Sequence, residues 1–202
     1  MAVSKTQSAE AVASAADAGI RDFGENYLQE ALDKIDALEG RGLIWHFIGP
    51  IQSNKTKAIA AKFSWVHSVD REKILRRLNQ HRGELALEPL NICLQVNVSG
   101  EASKSGVSPG GLPELVAVAQ ELPHLRLRGL MAIPAPETQF ERQLAACQTL
   151  ASLYEKTAHT APEMDTLSIG MSADMDAAIA AGSTMLRIGT AIFGPRQQQA
   201  PG

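Results

Sequence analysis

Leu90-Asn91-Ile92-Cys93-Leu94-Gln95-Val96-Asn97-Val98 decides the fold. This short run rich in Leu, Ile and Val reads as a strand. Working outward from it, the same alternation repeats in both directions. Downstream, the pattern predicts a helix over 112–122, a strand over 127–133 and a long helix over 138–157. A strand over 166–169, a helix over 174–181 and a strand over 185–188 close the series. Upstream lie a charged amphipathic helix over 71–82 capped by Asp70, a strand over 65–69, a helix over 55–62 and a strand over 43–48. Before these come a helix over 27–38, a strand over 20–23 and a helix over 8–18 closed by Gly19. The chain opens with the strand Ala2-Val3-Ser4-Lys5.

Eight strands with helices between them imply a parallel sheet, because each strand returns beside its predecessor through a crossover. Eight units within 202 residues point to a (β/α)8 TIM-type barrel rather than an open doubly wound sheet. The expected division is a barrel over 1–194 and a polar tail over 195–202. The short stretch after the last strand, residues 189–202, supplies no eighth helix, so the wall between the last strand and the first is expected to lie uncovered. The composition agrees with one domain: 45% of residues are hydrophobic and 20% charged. A net charge of −3 gives no reason to expect nucleic acid or an anionic membrane as partner. No apolar run approaches the roughly 18 residues of a membrane span, and Met1–Lys5 do not read as a signal peptide. Cys93 and Cys147 match no metal spacing and suit reduced cysteines of a cytoplasmic protein.

Polar residues and glycines gather just after the strands, where this barrel keeps its active site. Lys5 ends the first strand, Gly24-Glu25-Asn26 follows the second and Gly49-Pro50 the third. Asn97, Ser99 and the loop Ser103-Lys104-Ser105-Gly106 follow the fifth, and Met131 lies near the end of the sixth. Gly170-Met171-Ser172 follows the seventh, and Gly189-Thr190 the eighth. The last two clusters read either as a phosphate cradle, with Ser172 capping the helix that starts near Asp174, or as an ordinary cap and turn. Lys5 is either a solvated lysine or an amine whose pKa is lowered enough to condense with an aldehyde. Arg187, between Leu186 and Ile188, needs an acceptor from a carboxylate or a ligand. His46 reads as a core residue or as one standing behind the site, and Lys104 as a surface charge or a second reactive amine.

Six blocks carry a resemblance over nearly the whole chain. They are Ala2-Val3-Ser4-Lys5-Thr6, Phe23-Gly24-Glu25-Asn26-Tyr27, Trp45-His46-Phe47-Ile48-Gly49-Pro50-Ile51-Gln52-Ser53-Asn54-Lys55 and Val96-Asn97-Val98-Ser99 with Ser103-Lys104-Ser105-Gly106. Gly129-Leu130-Met131-Ala132-Ile133-Pro134 follows, and then Leu167-Ser168-Ile169-Gly170-Met171-Ser172-Ala173-Asp174-Met175, running on to Arg187-Ile188-Gly189-Thr190-Ala191-Ile192-Phe193-Gly194. In this order they resemble the pyridoxal phosphate homeostasis protein family, a single-domain relative of the N-terminal barrel of alanine racemase. The family usually carries a helical stretch before the Ala-Val-Ser-Lys strand, and this sequence lacks it.

The resemblance implies that Lys5 forms the internal aldimine with pyridoxal 5′-phosphate (PLP). It implies that Ser172, Gly189 and Thr190, beside Met171, hold the phosphate. Arg187 would face the pyridine nitrogen, and Asn26 and Met131 would lie near the ring. An arginine there disfavours a protonated ring and weakens the electron sink. Racemisation also needs an acid/base on the opposite ring face, and the tyrosines of this chain are Tyr27 and Tyr154. The expected function is PLP homeostasis and supply to apo-enzymes, by a monomer or weak homodimer. The alternatives are a racemase-like PLP enzyme acting on amino acids, and an aldolase-type lyase using Lys5 on a phosphorylated sugar.

Overall fold

The computed structural model describes residues 1–101 and 104–194. Ser103 and the tail 195–202 lie outside the described residues. Seven parallel strands pair in sequence order: β1 (Ala2–Val3), β2 (Asp22–Glu25), β3 (Ile44–Phe47), β4 (Trp65–Val69), β5 (Leu90–Gln95), β6 (Leu125–Met131) and β7 (Thr166–Ser168). Between them run α1 (Ala9–Asp17), α2 (Leu28–Ala37), α3 (Thr56–Lys62), α4 (Glu72–Glu84), α5 (Leu112–Gln120) and α6 (Phe140–Ala158). α7 (Met175–Ala180) and a single turn, α8 (Thr190–Phe193), follow β7.

The middle of the sheet explains why its strands are so apolar. Leu90, Ile92, Cys93 and Leu94 are all fully buried, as befits parallel strands covered on both faces. Helix starts follow local chemistry where a short polar side chain is available. Ser8 caps α1 by accepting from the N–H of Ala11 at 3.3 Å.

Four expectations are corrected here. The eighth strand is not regular: residues 185–188 meet the sheet only through isolated parallel bridges, Met185 to Ser168 and Ile188 to Ala2. The reason is local. Thr184 Oγ1 accepts from the N–H of Leu167, and Ser183 Oγ donates to the carbonyls of Leu167 and Ile169. Thr184 Oγ1 thus takes the Leu167 N–H that a ladder beside β7 would use, while the Leu167 carbonyl still accepts from the Met185 N–H. Second, the chain after that segment does form a helical turn, α8. Third, β2 runs two residues later than the sequence pattern suggests. Glu25, expected in the loop, is a fully buried strand residue, made tolerable by Lys34 at 2.8 Å. Fourth, Asp70 does not cap α4. The cap position is Arg71, with no side-chain cap, and Asp70 Oδ1 instead accepts from the Arg71 guanidinium Nη1 at 2.5 Å.

β1 is also shorter than expected, which moves Lys5 off the strand and into a turn. The Ser4 carbonyl accepts from Lys34 Nζ at 2.6 Å and from the Gln7 N–H at 3.0 Å, so the ladder stops there.

Candidate functional site

A cavity of about 320 Å³ opens at the C-terminal ends of the strands, near the lower end of the ~300–1,000 Å³ range of small-molecule sites. Lys5, Asn26, Met171, Ser172, Arg187, Gly189 and Thr190, all named from the sequence, line it. Val3, Ile48, Ile133 and Ala173 complete its apolar wall and are not singled out by the sequence pattern. Met131 is the exception among the expected residues. As the last residue of β6 it pairs with Gln95 and Ser168, is fully buried, and stands outside the lining.

The Lys5 backbone is held from both sides. Before it, Ser4 Oγ donates to Glu25 Oε1 at 2.6 Å, and Lys34 Nζ joins the Ser4 carbonyl, Glu25 and Glu30. After it, the Thr6 N–H donates to Glu30 Oε1 at 2.6 Å. Thr6 sits at φ 64°, a region that a β-branched residue adopts only under constraint. Burial pushes the Glu25 carboxyl above its usual pKa, against the pull of Lys34 and Ser4.

Arg187 comes from the segment 185–188, which bridges to β1, and is almost fully buried. Among the described residues its acceptors are two carbonyls and a hydroxyl rather than a carboxylate. Nη1 donates to the Ser168 carbonyl at 2.7 Å and to Ser168 Oγ at 2.9 Å, and Nη2 donates to the Ala132 carbonyl at 2.8 Å. Burial pulls its pKa down to about 10, so it stays a cation at neutral pH. Lys5 and Arg187 are the basic residues of the lining, which holds no carboxylate, and this favours an anionic occupant.

Ser172 does not cap α7. The cap position is Asp174, and Asp174 Oδ1 accepts from the Met171 N–H at 2.6 Å to fold the loop that presents Ser172. That loop turns at Gly170, φ 102°, where a Cβ would lie 2.5 Å from that of Ala178. Gly49 lets the chain pass close to Asn26: a Cβ there would approach the Asn26 carbonyl to 2.1 Å. Asn26 Oδ1 is buried without a hydrogen-bond partner among the described residues, an arrangement costly enough to suggest a donor from an occupant.

Other residues named from sequence stand outside this lining. Lys104 lines an adjoining cavity of about 260 Å³ that shares Ile133, Met171 and Ala173 with the first. Its Nζ is 3.2 Å from Glu101 Oε1. Tyr154 donates its hydroxyl to the Met164 carbonyl at 3.1 Å, and Tyr27 is largely exposed at the start of α2; neither lines the cavity. Cys93 and Cys147 are buried free thiols. Among the described residues no cluster could hold a metal, and no helix is long and apolar enough to cross a membrane.

His46 is wholly buried and has a partner that the sequence pattern did not reveal. His46 Nδ1 lies 3.0 Å from His67 Nε2, and its Nε2 lies 2.9 Å from Asp22 Oδ1. A polar side chain inside an apolar strand must find a partner, and that signal was available at both histidines. Burial lowers the pKa of His46, and that of His67 falls well below 6.5 through burial, through repulsion from His46 whenever that ring is charged, and through the nearby Arg187 cation. The folded protein therefore refuses protons that the unfolded chain accepts below about pH 6.5, and stability should fall as pH drops through that value. Each histidine contributes roughly 1.4 kcal/mol per pH unit while it titrates only in the unfolded chain. Glu25, with its raised pKa, acts in the opposite sense at lower pH and reduces the slope there. Thermal melts from pH 7.5 to 5.5 check this, and a flat profile would contradict it.

Comparison with known proteins places these features in a family. Residues 1–197 match the family model of the alanine racemase N-terminal domain. The pyridoxal phosphate homeostasis protein of Pseudomonas aeruginosa is 58% identical over 201 residues, spanning 100% of this chain and 86% of the relative. That of Escherichia coli strain K12 is 55% identical over 199 residues, 97% of this chain and 85% of the relative. PipY from Synechococcus elongatus, solved with PLP bound, superposes with a TM-score of 0.86 at 35% identity, covering 96% of this chain and 91% of PipY. Its form without PLP gives 0.90 at 36% identity over the same shares. The chain belongs to the alanine racemase N-terminal domain family and, within it, to the pyridoxal phosphate homeostasis proteins.

Proposed function

We propose that this chain holds PLP as a Schiff base on Lys5 and serves in its storage and supply in the cytoplasm, without robust catalysis of its own. The observation that carries this reading is one cavity into which separate loops bring Lys5, Arg187, Ser172, Gly189 and Thr190. The donor set fits the cofactor: a lysine for the aldehyde, a fixed guanidinium for the ring nitrogen, and a hydroxyl pair with the Gly189 backbone for a phosphate. PLP supplies an aldehyde for amines and a ring that can delocalise negative charge.

The chain's own residues favour holding over turnover. The donor facing the ring would be Arg187, which keeps its proton, and this disfavours a protonated ring nitrogen. Tyr27 and Tyr154 stand outside the cavity, which supports a carrier over a racemase-like enzyme. We read residues 185–188 as closing the sheet into a barrel around this site, since they bridge to both β1 and β7. Recipients of the cofactor would be apo-enzymes that depend on PLP. Incubating the PLP-loaded protein with single L- and D-amino acids tests the carrier reading: the spectrum should persist without product, whereas sustained racemisation or decarboxylation would establish an enzyme.

The enclosed Nζ of Lys104, beside a cavity contiguous in its lining with the first, favours a second amine on the exit route. Lys104→Ala should slow delivery to an apo-enzyme several-fold while leaving PLP bound. Unchanged delivery kinetics would end that idea.

A further inference from the structure

Five side chains from five different segments form one hydrogen-bonded line behind the cavity. Asp22 starts β2, His46 lies in β3, His67 in β4, Ser168 ends β7, and Arg187 lies in the bridging segment 185–188. The contacts are 2.9 Å from Asp22 Oδ1 to His46 Nε2 and 3.0 Å from His46 Nδ1 to His67 Nε2. They continue with 3.1 Å from His67 Nδ1 to Ser168 Oγ and 2.9 Å from Ser168 Oγ to Arg187 Nη1. His46, His67 and Ser168 are fully enclosed, while the Asp22 side chain is 43% exposed.

The two ends of the line dictate its direction. A guanidinium can only donate, so Ser168 Oγ accepts from Arg187. The serine proton is then available for His67 Nδ1. His67 must carry its hydrogen on Nε2 and donate to His46 Nδ1, and His46 must donate from Nε2 to the Asp22 carboxylate. The reverse order would set an imidazole lone pair against an ionised carboxylate. A doubly protonated histidine is opposed by burial on all sides, by the Met1 amino group near Asp22 and both histidines, and by Arg187. Trp65 stacks on both rings, at 5.5 Å from His46 and 5.6 Å from His67, and carries Arg128 4.8 Å from its own ring, so that face also offers no counter-charge.

We propose that Asp22, His46, His67 and Ser168 are positioning residues for Arg187, a directional chain that fixes the guanidinium against the cavity and couples it to a carboxylate at the opposite end of the sheet. This rests on the reading above in one respect, that Arg187 meets the ring of a bound PLP. Cooperative polarisation along such a line strengthens each bond, and the fixed order of donors leaves Arg187 no acceptor role toward a ligand.

Nitrogen-15 NMR of histidine-labelled protein tests the chain, with the first arm needing no cofactor. At pH 7.5, His46 and His67 should both read as neutral rings protonated on Nε2. Finding His67 protonated on Nδ1, or either ring charged, would overturn the proposal. Asp22→Asn replaces an obligate acceptor by a group of either polarity. It should move the His46 signals toward a tautomer mixture and the His67 signals with them; movement at His46 alone would also overturn it. Addition of PLP should shift the His67 nitrogens in the native protein, and that shift should be lost in Ser168→Ala. An equal shift in Ser168→Ala would sever the proposed link to Arg187. Absorbance reports whether PLP has bound at all, so failure of the PLP reading is seen separately, and the cofactor-free arms still decide the chain.

Discussion

Lys5→Ala should abolish borohydride-stable attachment of PLP while leaving the protein folded. The expectation follows from how the turn is built. Ser4 is anchored through Glu25 and Lys34, and Thr6 through Glu30, so the backbone on both sides of Lys5 is set by other side chains. The anchors of Ser4 and Thr6 remain when the lysine is removed, so the turn should keep its backbone. Arg187, Ser172, Gly189 and Thr190 remain, so weak non-covalent uptake of PLP should persist. Reduction followed by intact-mass measurement checks this; stoichiometric pyridoxyl label on the variant would place the anchor elsewhere.

Arg187→Met should damage both stability and cofactor retention. The arginine satisfies the carbonyls of Ser168 and Ala132 and the hydroxyl of Ser168. Each acceptor left buried without a donor costs about 1–3 kcal/mol. Part of that is recovered because a charge no longer has to be kept out of water. A net loss of about 2–4 kcal/mol, measured by urea denaturation, is the expected result. PLP affinity should fall as well, since a thioether offers the ring nitrogen no donor. Arg187→Lys should not rescue it, because one ammonium cannot span Ala132 and Ser168 as the two guanidinium arms do. A variant as stable as the parent would show that the carbonyls find water or other donors.

The strand order and the place of the cavity were legible because they depend on patterns local to each strand. Leu90–Gln95 announces a doubly covered parallel strand by its composition alone, and residues just after each strand mark the cavity rim. What escaped was decided across the sheet. Glu25 looks like a loop residue until Lys34, nine positions away on α2, neutralises it. The last strand dissolves into bridges because Ser183 and Thr184 take hydrogen bonds at the β7 edge. Met131 has the right position in sequence, but its side chain is sealed within the core. The line from Asp22 to Arg187 joins residues as far apart as 22 and 187, and only the folded register brings them together.

The central claim, that Lys5 anchors PLP in this cavity, is tested most directly on the unmodified protein. PLP is added, the absorbance spectrum recorded, the sample reduced with borohydride and the labelled peptides mapped by mass spectrometry. The account predicts a yellow protein with one pyridoxyl group on Lys5. A protein that takes up no PLP, or that carries label scattered over its surface lysines with none on Lys5, would contradict it.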